Sequence, residues 1–280
     1  MIPRRLDPRR FDAAGRTDVG GVRQTNPDAF GEYADGSLRV FVVADGMGGH
    51  AGGETASRLA VEAVREVFGS AHGGVDARLR AALEAANGRV HQAQLEDPRL
   101  AGMGTTGVAL GFGPDGAWVA NVGDSRAYRM RSGSLEQLTR DHSVVAELVR
   151  RGYITAEQAA VHPRRNEVLR SLGTEASVDV DLDPVQVAPE DVFLLCSDGL
   201  SGVVSDAEIA SLVVRQPAAD AARALVEAAL LAGGPDNVTV QIVRAPAHAF
   251  ETAPAPRTRA AAIVAGAVLL ALAIGWVLLR

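Results

Sequence analysis

The apolar runs of this chain follow one another too closely for anything but antiparallel pairing. Only Pro114-Asp115-Gly116 separates the run 105–112 from 117–122, and Ser132-Gly133-Ser134 separates 125–131 from 135–138. Runs of four to eight apolar or β-branched residues bounded by Gly, Pro, Asp or Ser read as β-strands. Connections this short can join antiparallel neighbours, whereas a parallel crossover needs a dozen or more residues. Helical patterns lie between the strand clusters, at 54–68, 75–96, 143–151, 205–215 and 218–232. Ser205 with Glu208, and Thr155 with Gln158, have the spacing of capping boxes. Strand clusters separated by helical stretches predict an α+β layered domain.

Four aspartates stand at the ends of apolar runs. Asp45 follows 39–44, Asp124 follows 117–123, Asp198 follows 192–197, and Asp236 comes just before 238–243. A carboxylate where a strand leaves the core is held by a rigid scaffold and still reached by solvent. Hard oxygen ligands gathered at one sheet rim suit Mg²⁺ or Mn²⁺, which favour carboxylate, carbonyl and water. The chain therefore reads as a metal-dependent hydrolase. Any one of these aspartates alone reads as well as a turn or helix cap.

Composition removes several alternatives. With 280 residues and 47% hydrophobic content, one substantial globular domain is expected. A formal net charge of −6 offers no basic face for nucleic acid. All 28 basic residues are arginines, so a P-loop, a protein kinase site and a Schiff-base site, each of which needs a lysine, cannot be built. The single cysteine, Cys196, excludes an internal disulfide and fits a reducing compartment.

The two ends differ in character. Residues 1–10 carry charge with no apolar stretch behind it, so no signal peptide is expected. The expected organisation is a catalytic domain over 1–245, an extended proline-containing linker over 246–259, and a transmembrane helix over 260–279. That last stretch holds no charged residue, and a helix of its length spans about 30 Å, the thickness of a bilayer's hydrocarbon core. Arg257 and Arg259 precede it and Trp276 sits near its far end. Positive charge on the domain side predicts a single-pass protein of the cell membrane with its domain in the cytoplasm.

Six motifs then occur in order: Arg23-Gln24-Thr25-Asn26-Pro27-Asp28, Asp45-Gly46-Met47-Gly48-Gly49-His50, Met103-Gly104-Thr105-Thr106, Gly123-Asp124-Ser125-Arg126, Leu195-Cys196-Ser197-Asp198-Gly199 and Gly233-Gly234-Pro235-Asp236-Asn237-Val238-Thr239. Together they resemble the metal-dependent serine/threonine protein phosphatases of type 2C in their bacterial form. The resemblance implies a layered α-β-β-α sandwich of two mostly antiparallel sheets flanked by helices. It implies that Asp45, the carbonyl of Gly46, Asp198 and Asp236 hold two Mn²⁺ or Mg²⁺ ions bridged by a water, with Asp124 at a third, weaker metal position. Arg23 resembles the family's phosphate-binding arginine, and Asp28 would orient metal-bound water. The substrates implied are phosphorylated proteins, and the implied counterpart is a serine/threonine protein kinase. Residues 141–173 occupy the place of the family's flap, whose arginines could meet phosphopeptides or simply be solvated.

Two positions depart from the family. Pro27 stands where many members carry Glu, which removes one water-mediated contact to the second metal. Met47 stands where animal relatives carry a His proposed as general acid, and Met cannot donate a proton. These departures motivate the alternative of a weak or inactive homologue acting as a membrane-tethered phosphoprotein-binding adaptor; a small phosphoester as substrate is a second alternative. Cysteine-dependent phosphatases need Arg six positions after the nucleophile, and position 202 is Gly. Asp179-Val180-Asp181-Leu182-Asp183 lacks the last-position residue of a haloacid-dehalogenase motif and reads as the wet face of a strand.

Overall fold

The structure, a computed structural model, describes residues 4–252 apart from 115 and 215. Leu6–Phe250 forms one compact unit. Its framework is two five-stranded sheets in which every ladder is antiparallel. One runs Ser134–Gln137, Arg126–Arg131, Asp191–Cys196, Val238–Ala245, Asp12–Asp18; the other runs Asp181–Val185, Gly116–Val122, Gly107–Gly113, Leu38–Ala44, Ala29–Asp35. The short connections from Gly113 to Gly116 and from Arg131 to Ser134 join neighbouring strands, as their length requires.

The inner strands are buried on both faces, and their period-two alternation sorts side chains between two cores. Val40, Val42 and Ala44 point to one side of the Leu38–Ala44 strand, where helices His50–Ser70 and Val75–Glu96 cover them with Ala60, Val64, Leu79 and Leu83. Phe41 and Val43 point to the other side and meet Phe193, Leu195 and Val243 of the second sheet. Phe112 sits at the centre of that inter-sheet layer, with Phe11, Phe41 and Phe193 edge-on at centroid distances of 4.8, 6.0 and 5.4 Å. A third core lies under helices Asp206–Val213 and Ala218–Leu231. The layers are therefore helix, sheet, sheet, helix, as expected.

Several details differ from the sequence reading. The strands Asp12–Asp18 and Ala29–Asp35 were not anticipated; both are edge strands with mostly half-buried or exposed residues, which removes the apolar signal. The run 105–112 is two elements: Gly104–Thr105 pairs with Gly46–Met47, and Gly107–Gly113 joins the main sheet. At Thr155 both halves of the capping box form, whereas at Ser205 only the side-chain cap is made, Ser205 Oγ accepting from the Glu208 N–H. The first long helix begins at His50, four residues before its apolar period becomes visible. Beyond residue 245, Ala247–Ala249 forms a 3₁₀ turn with Ala249 buried, followed by the strand Phe250–Thr252. The proposed span 260–279 lies outside the described residues, among which no helix is long and apolar enough to cross a membrane.

Candidate active site

The two sheets deliver their acidic strand ends to one cavity. Asp45 ends the Leu38–Ala44 strand and Asp124 follows Gly116–Val122 of the same sheet, whereas Asp198 follows Asp191–Cys196 and Asp236 precedes Val238–Ala245 of the other. All four line a cavity of about 390 Å³ together with Arg23 and Gly46. Asp28 lies just behind this wall: Ser197 Oγ, next to Asp198, donates to Asp28 Oδ2 at 2.8 Å and accepts from the Thr239 N–H at 3.0 Å.

Backbone contacts fix where the carboxylates point. Asp45 is pinned by reciprocal bonds, its N–H donating to Thr106 Oγ1 and its carbonyl accepting from the Thr106 N–H, both at 2.9 Å, with Thr105 Oγ1 adding a third bond at 2.8 Å. Thr106 Oγ1 also lies 2.7 Å from Ser125 Oγ, which couples the Asp45 turn to the Asp124 turn. Gly46 must be glycine for a packing reason: a Cβ there would lie 2.1 Å from the Gly53 carbonyl in the first turn of the long helix. Gly199 is equally constrained, because a Cβ would meet the Asn237 carbonyl at 1.9 Å. This close approach brings Asp198 and Asp236 side by side. Asn237 Nδ2 donates to the carbonyls of Val19 and Thr25 at 2.9 and 2.8 Å, holding the Arg23 loop against the Asp236 strand.

Electrostatics within the cavity are unfavourable for carboxylates left without a cation. Burial and the neighbouring Asp28, Asp198 and Asp124 push Asp45 well above the usual carboxylate range. Burial and Asp236 raise Asp198. Burial carries Asp124 up to about 7 and Asp28 up to about 6. Asp28 Oδ1 is buried without a hydrogen-bond partner. Asp236 is held by two donors: Arg23 Nη2 donates to its Oδ2 at 2.7 Å and the Asn237 N–H to its Oδ1 at 2.9 Å. Among the described residues, no three acidic, His or Cys side chains are grouped to hold one ion.

The donor set nevertheless fits hard divalent cations. Crowded carboxylates with raised pKa and an orphaned buried carboxylate oxygen are what a hard cation would relieve. Asp45, the Gly46 carbonyl, Asp198 and Asp236 are the residues that could hold such ions, with Asp124 beside them. Pro27 contributes no ligating group and instead packs its backbone against Gly46. Met47 lines the cavity on the short Gly46–Met47 strand.

The sequence reading missed the threonine and serine network behind Asp45 and a histidine. His142 is buried; its Nδ1 accepts from the Gly123 N–H at 3.1 Å and its Nε2 faces Asp181 Oδ2 at 3.2 Å. Arg170 holds the other oxygen of Asp181 at 2.7 Å. Asp181, on the edge strand Asp181–Val185, therefore belongs to this tie, and it supplies no nucleophile. Its signal was available in the Asp-His pair at 141–142, but nothing local shows that this histidine reaches the Gly123 turn. Cys196 is fully buried and its thiol is pushed up to about 12 by burial, which leaves it unreactive.

Residues 21–233 match the sequence-family model described as protein phosphatase 2C. The serine/threonine protein phosphatase PstP of Mycobacterium tuberculosis is 43% identical over 231 residues, which cover 82% of this chain and 44% of PstP. The chain thus spans less than half the length of that relative. The serine/threonine phosphatase Stp of Listeria welshimeri is 37% identical over 235 residues, covering 81% of this chain and 93% of Stp. Among solved structures, the catalytic domain of PstP in complex with two manganese ions superposes with a TM-score of 0.73 at 38% identity, covering 84% of this chain and 97% of that one.

Proposed function

This chain belongs to the protein phosphatase 2C family, and from that premise we propose that it hydrolyses phosphoserine and phosphothreonine in proteins with Mn²⁺ or Mg²⁺. One observation carries the reading: Arg23, Asp45, Asp198 and Asp236 line a single cavity at the meeting edge of two sheets. Asp45, the Gly46 carbonyl, Asp198 and Asp236 would hold two ions and Asp124 a third, weaker one. When bound, such ions make water nucleophilic at neutral pH and spread the charge that grows on the phosphoryl oxygens.

The protein's own groups do the rest. Arg23 presents a planar fork that can take two phosphoryl oxygens at once, and it orients the phosphate over the carboxylate cluster. Asp28, with Oδ2 fixed by Ser197 and Oδ1 unpartnered, offers one directed acceptor for a water at the cluster's inner edge. The Thr106–Ser125 contact and Asn237 keep these positions fixed while substrate binds.

The deciding assay is phosphate release from a phosphothreonine peptide by the full chain, with Mn²⁺ and with EDTA. Release that depends on Mn²⁺ and falls by orders of magnitude in Asp198→Asn is expected, and equal release in EDTA would overturn the reading. The proposal extends to a membrane anchor over 260–279 with the domain in the cytoplasm, and to a serine/threonine protein kinase as counterpart. The charge-free run flanked by Arg257 and Arg259 supports the anchor. Full-length protein should pellet with membranes after carbonate washing, and the same partition without residues 260–280 would remove the anchor from the proposal.

A further inference from the structure

Asp28 belongs to a closed ring of hydrogen bonds that fastens the loop carrying Arg23 to three neighbouring strand ends of one sheet. Its N–H donates to Asn26 Oδ1 at 3.2 Å, and Asn26 Nδ2 donates to Thr17 Oγ1 at 2.8 Å. Thr17 Oγ1 lies 2.7 Å from Thr239 Oγ1, its opposite neighbour in the ladder between Asp12–Asp18 and Val238–Ala245. The Thr239 N–H donates to Ser197 Oγ at 3.0 Å, and Ser197 Oγ donates to Asp28 Oδ2 at 2.8 Å, which closes the ring.

Donor chemistry gives the ring a direction. An amide nitrogen only donates, so Thr17 Oγ1 accepts from Asn26 and keeps its own proton for Thr239. A backbone N–H likewise only donates, so the Ser197 proton is turned onto Asp28 Oδ2. Of the two carboxylate oxygens of Asp28, the ring takes Oδ2 and leaves Oδ1 without a partner. Ser197 and Thr239 are fully buried, whereas Thr17 is exposed and Asn26 half-buried. Thr17 and Asn26 stand outside the lining of the catalytic cavity and reach it only through Asp28.

Building on the phosphatase reading, we propose that Thr17 and Asn26 are positioning residues for the hydrolytic step: through the ring they hold the Asp28 carboxylate at one angle, so that Oδ1 faces the attacking water. They act on Asp28 and not on Arg23. The ring ends on the Asp28 carboxylate, whereas Arg23 has its own hold on Asp236, and its loop is fastened independently by Asn237 Nδ2 to the carbonyls of Val19 and Thr25. An orienting group displaced by about 1 Å slows turnover by one to two orders of magnitude and leaves substrate binding alone.

The test joins steady-state kinetics of the full chain with Mn²⁺ on a phosphothreonine peptide to amide exchange at Asp28 in the metal-free protein. Thr17→Val keeps the β-branched shape and deletes the hydroxyl. It should lower kcat about tenfold at unaltered KM, and it should speed exchange of the Asp28 N–H, because Asn26 loses its anchor. Thr17→Ser, which restores the hydroxyl, should recover most of both. Asn26→Ala should reproduce the loss of kcat, and the two substitutions together should cost little more than either alone, as members of one network do. In an Asp28→Ala background, Thr17→Val should change kcat by less than about twofold, since the group it positions is gone. An equally large fall in that background, a rise in KM at unaltered kcat, or unaltered kcat in both Thr17→Val and Asn26→Ala would overturn the proposal. Failure of the phosphatase reading looks different, since the unaltered chain would then release no phosphate with Mn²⁺ and the proposal would fall with it.

Discussion

Arg23 Nη2 sits 2.7 Å from Asp236 Oδ2 and neutralises one of the cavity carboxylates that are prospective metal ligands. The contact raises the arginine's pKa chiefly through that hydrogen bond, with Asp198 and Asp45 adding to it. One guanidinium cannot hold Asp236 and an incoming phosphate with the same nitrogens. A cation at Asp236 would take over the neutralisation and release Arg23 towards the substrate, so metal and phosphate binding should reinforce one another.

Arg23→Ala tests that exchange. Loss of a charge-assisted bond to phosphate should lower kcat/KM on phosphopeptides about ten- to hundredfold. Calorimetry on the same variant without substrate should give Mn²⁺ binding at least as tight as in the unaltered chain, because Asp236 has lost its competitor. Weaker Mn²⁺ binding would mean that Arg23 organises the ligands and does not compete for them.

The raised carboxyls predict an unusual pH dependence. Asp124, pushed up to about 7 mainly by burial, binds a proton more tightly folded than unfolded, where its ordinary value is 3.8. Asp28, at about 6, and Asp45 and Asp198 shift in the same direction. The folded state therefore loses stability as pH rises from about 4 through about 7, opposite in sign to a salt-bridged carboxylate. Thermal melts in EDTA should show Tm falling by several degrees between pH 5 and pH 8. Mn²⁺ should raise Tm more at pH 8 than at pH 5, since at low pH it must displace protons. A metal-free Tm that climbs over that window would refute the assignment.

Much of this arrangement was legible in the sequence. Asp45, Asp124, Asp198 and Asp236 stand at strand ends, and strand ends are readable from period and punctuation. The two inner strands Leu38–Ala44 and Asp191–Cys196 are buried on both faces and so read as continuous apolar runs. What stayed hidden depends on contacts far apart in the chain. The edge strand Asp12–Asp18 is polar because one side faces solvent, and only its pairing with Val238–Ala245 makes it a strand. Gly199 looks like a turn glycine until the Asn237 carbonyl is found where its Cβ would be. The engagement of Asp236 by Arg23 is likewise a matter of tertiary geometry, across 213 positions.

Asp198→Asn should separate stability from function. Asp198 is raised by burial and by Asp236, so its charge is held against an electrostatic cost when no metal is bound. Replacing it by the neutral isostere should raise the metal-free Tm at pH 8 by a few degrees, corresponding to about 1–2 kcal/mol. The same substitution should abolish most of the stabilisation by Mn²⁺ and drop turnover by orders of magnitude. A lower metal-free Tm would show that the carboxylate earns its place through hydrogen bonding alone.

His142 ties the segment that runs on to Leu169 to the turn that carries Asp124. Its backbone N–H donates to the Gly123 carbonyl at 2.9 Å, its carbonyl accepts from the Leu169 N–H at 2.7 Å, and its Nδ1 accepts from the Gly123 N–H at 3.1 Å. An Nδ1 that accepts requires the proton on Nε2, where Asp181 receives it at 3.2 Å. Burial lowers the His142 pKa below its ordinary 6.5, so the unfolded chain takes up the proton first, and this contribution to stability is lost as pH falls below about 6.5. His142→Ala leaves the Gly123 N–H without a partner at a cost of roughly 1–3 kcal/mol, which lowers Tm by about 2–12 °C in a chain of this size. His142→Asn, whose side-chain carbonyl can accept from the Gly123 N–H, should recover part of that loss. Amide exchange at Gly123 measured alongside the melts distinguishes the cause: faster exchange in the Ala variant than in the Asn variant supports the tie, and equal rates in both would mean that His142 only fills space.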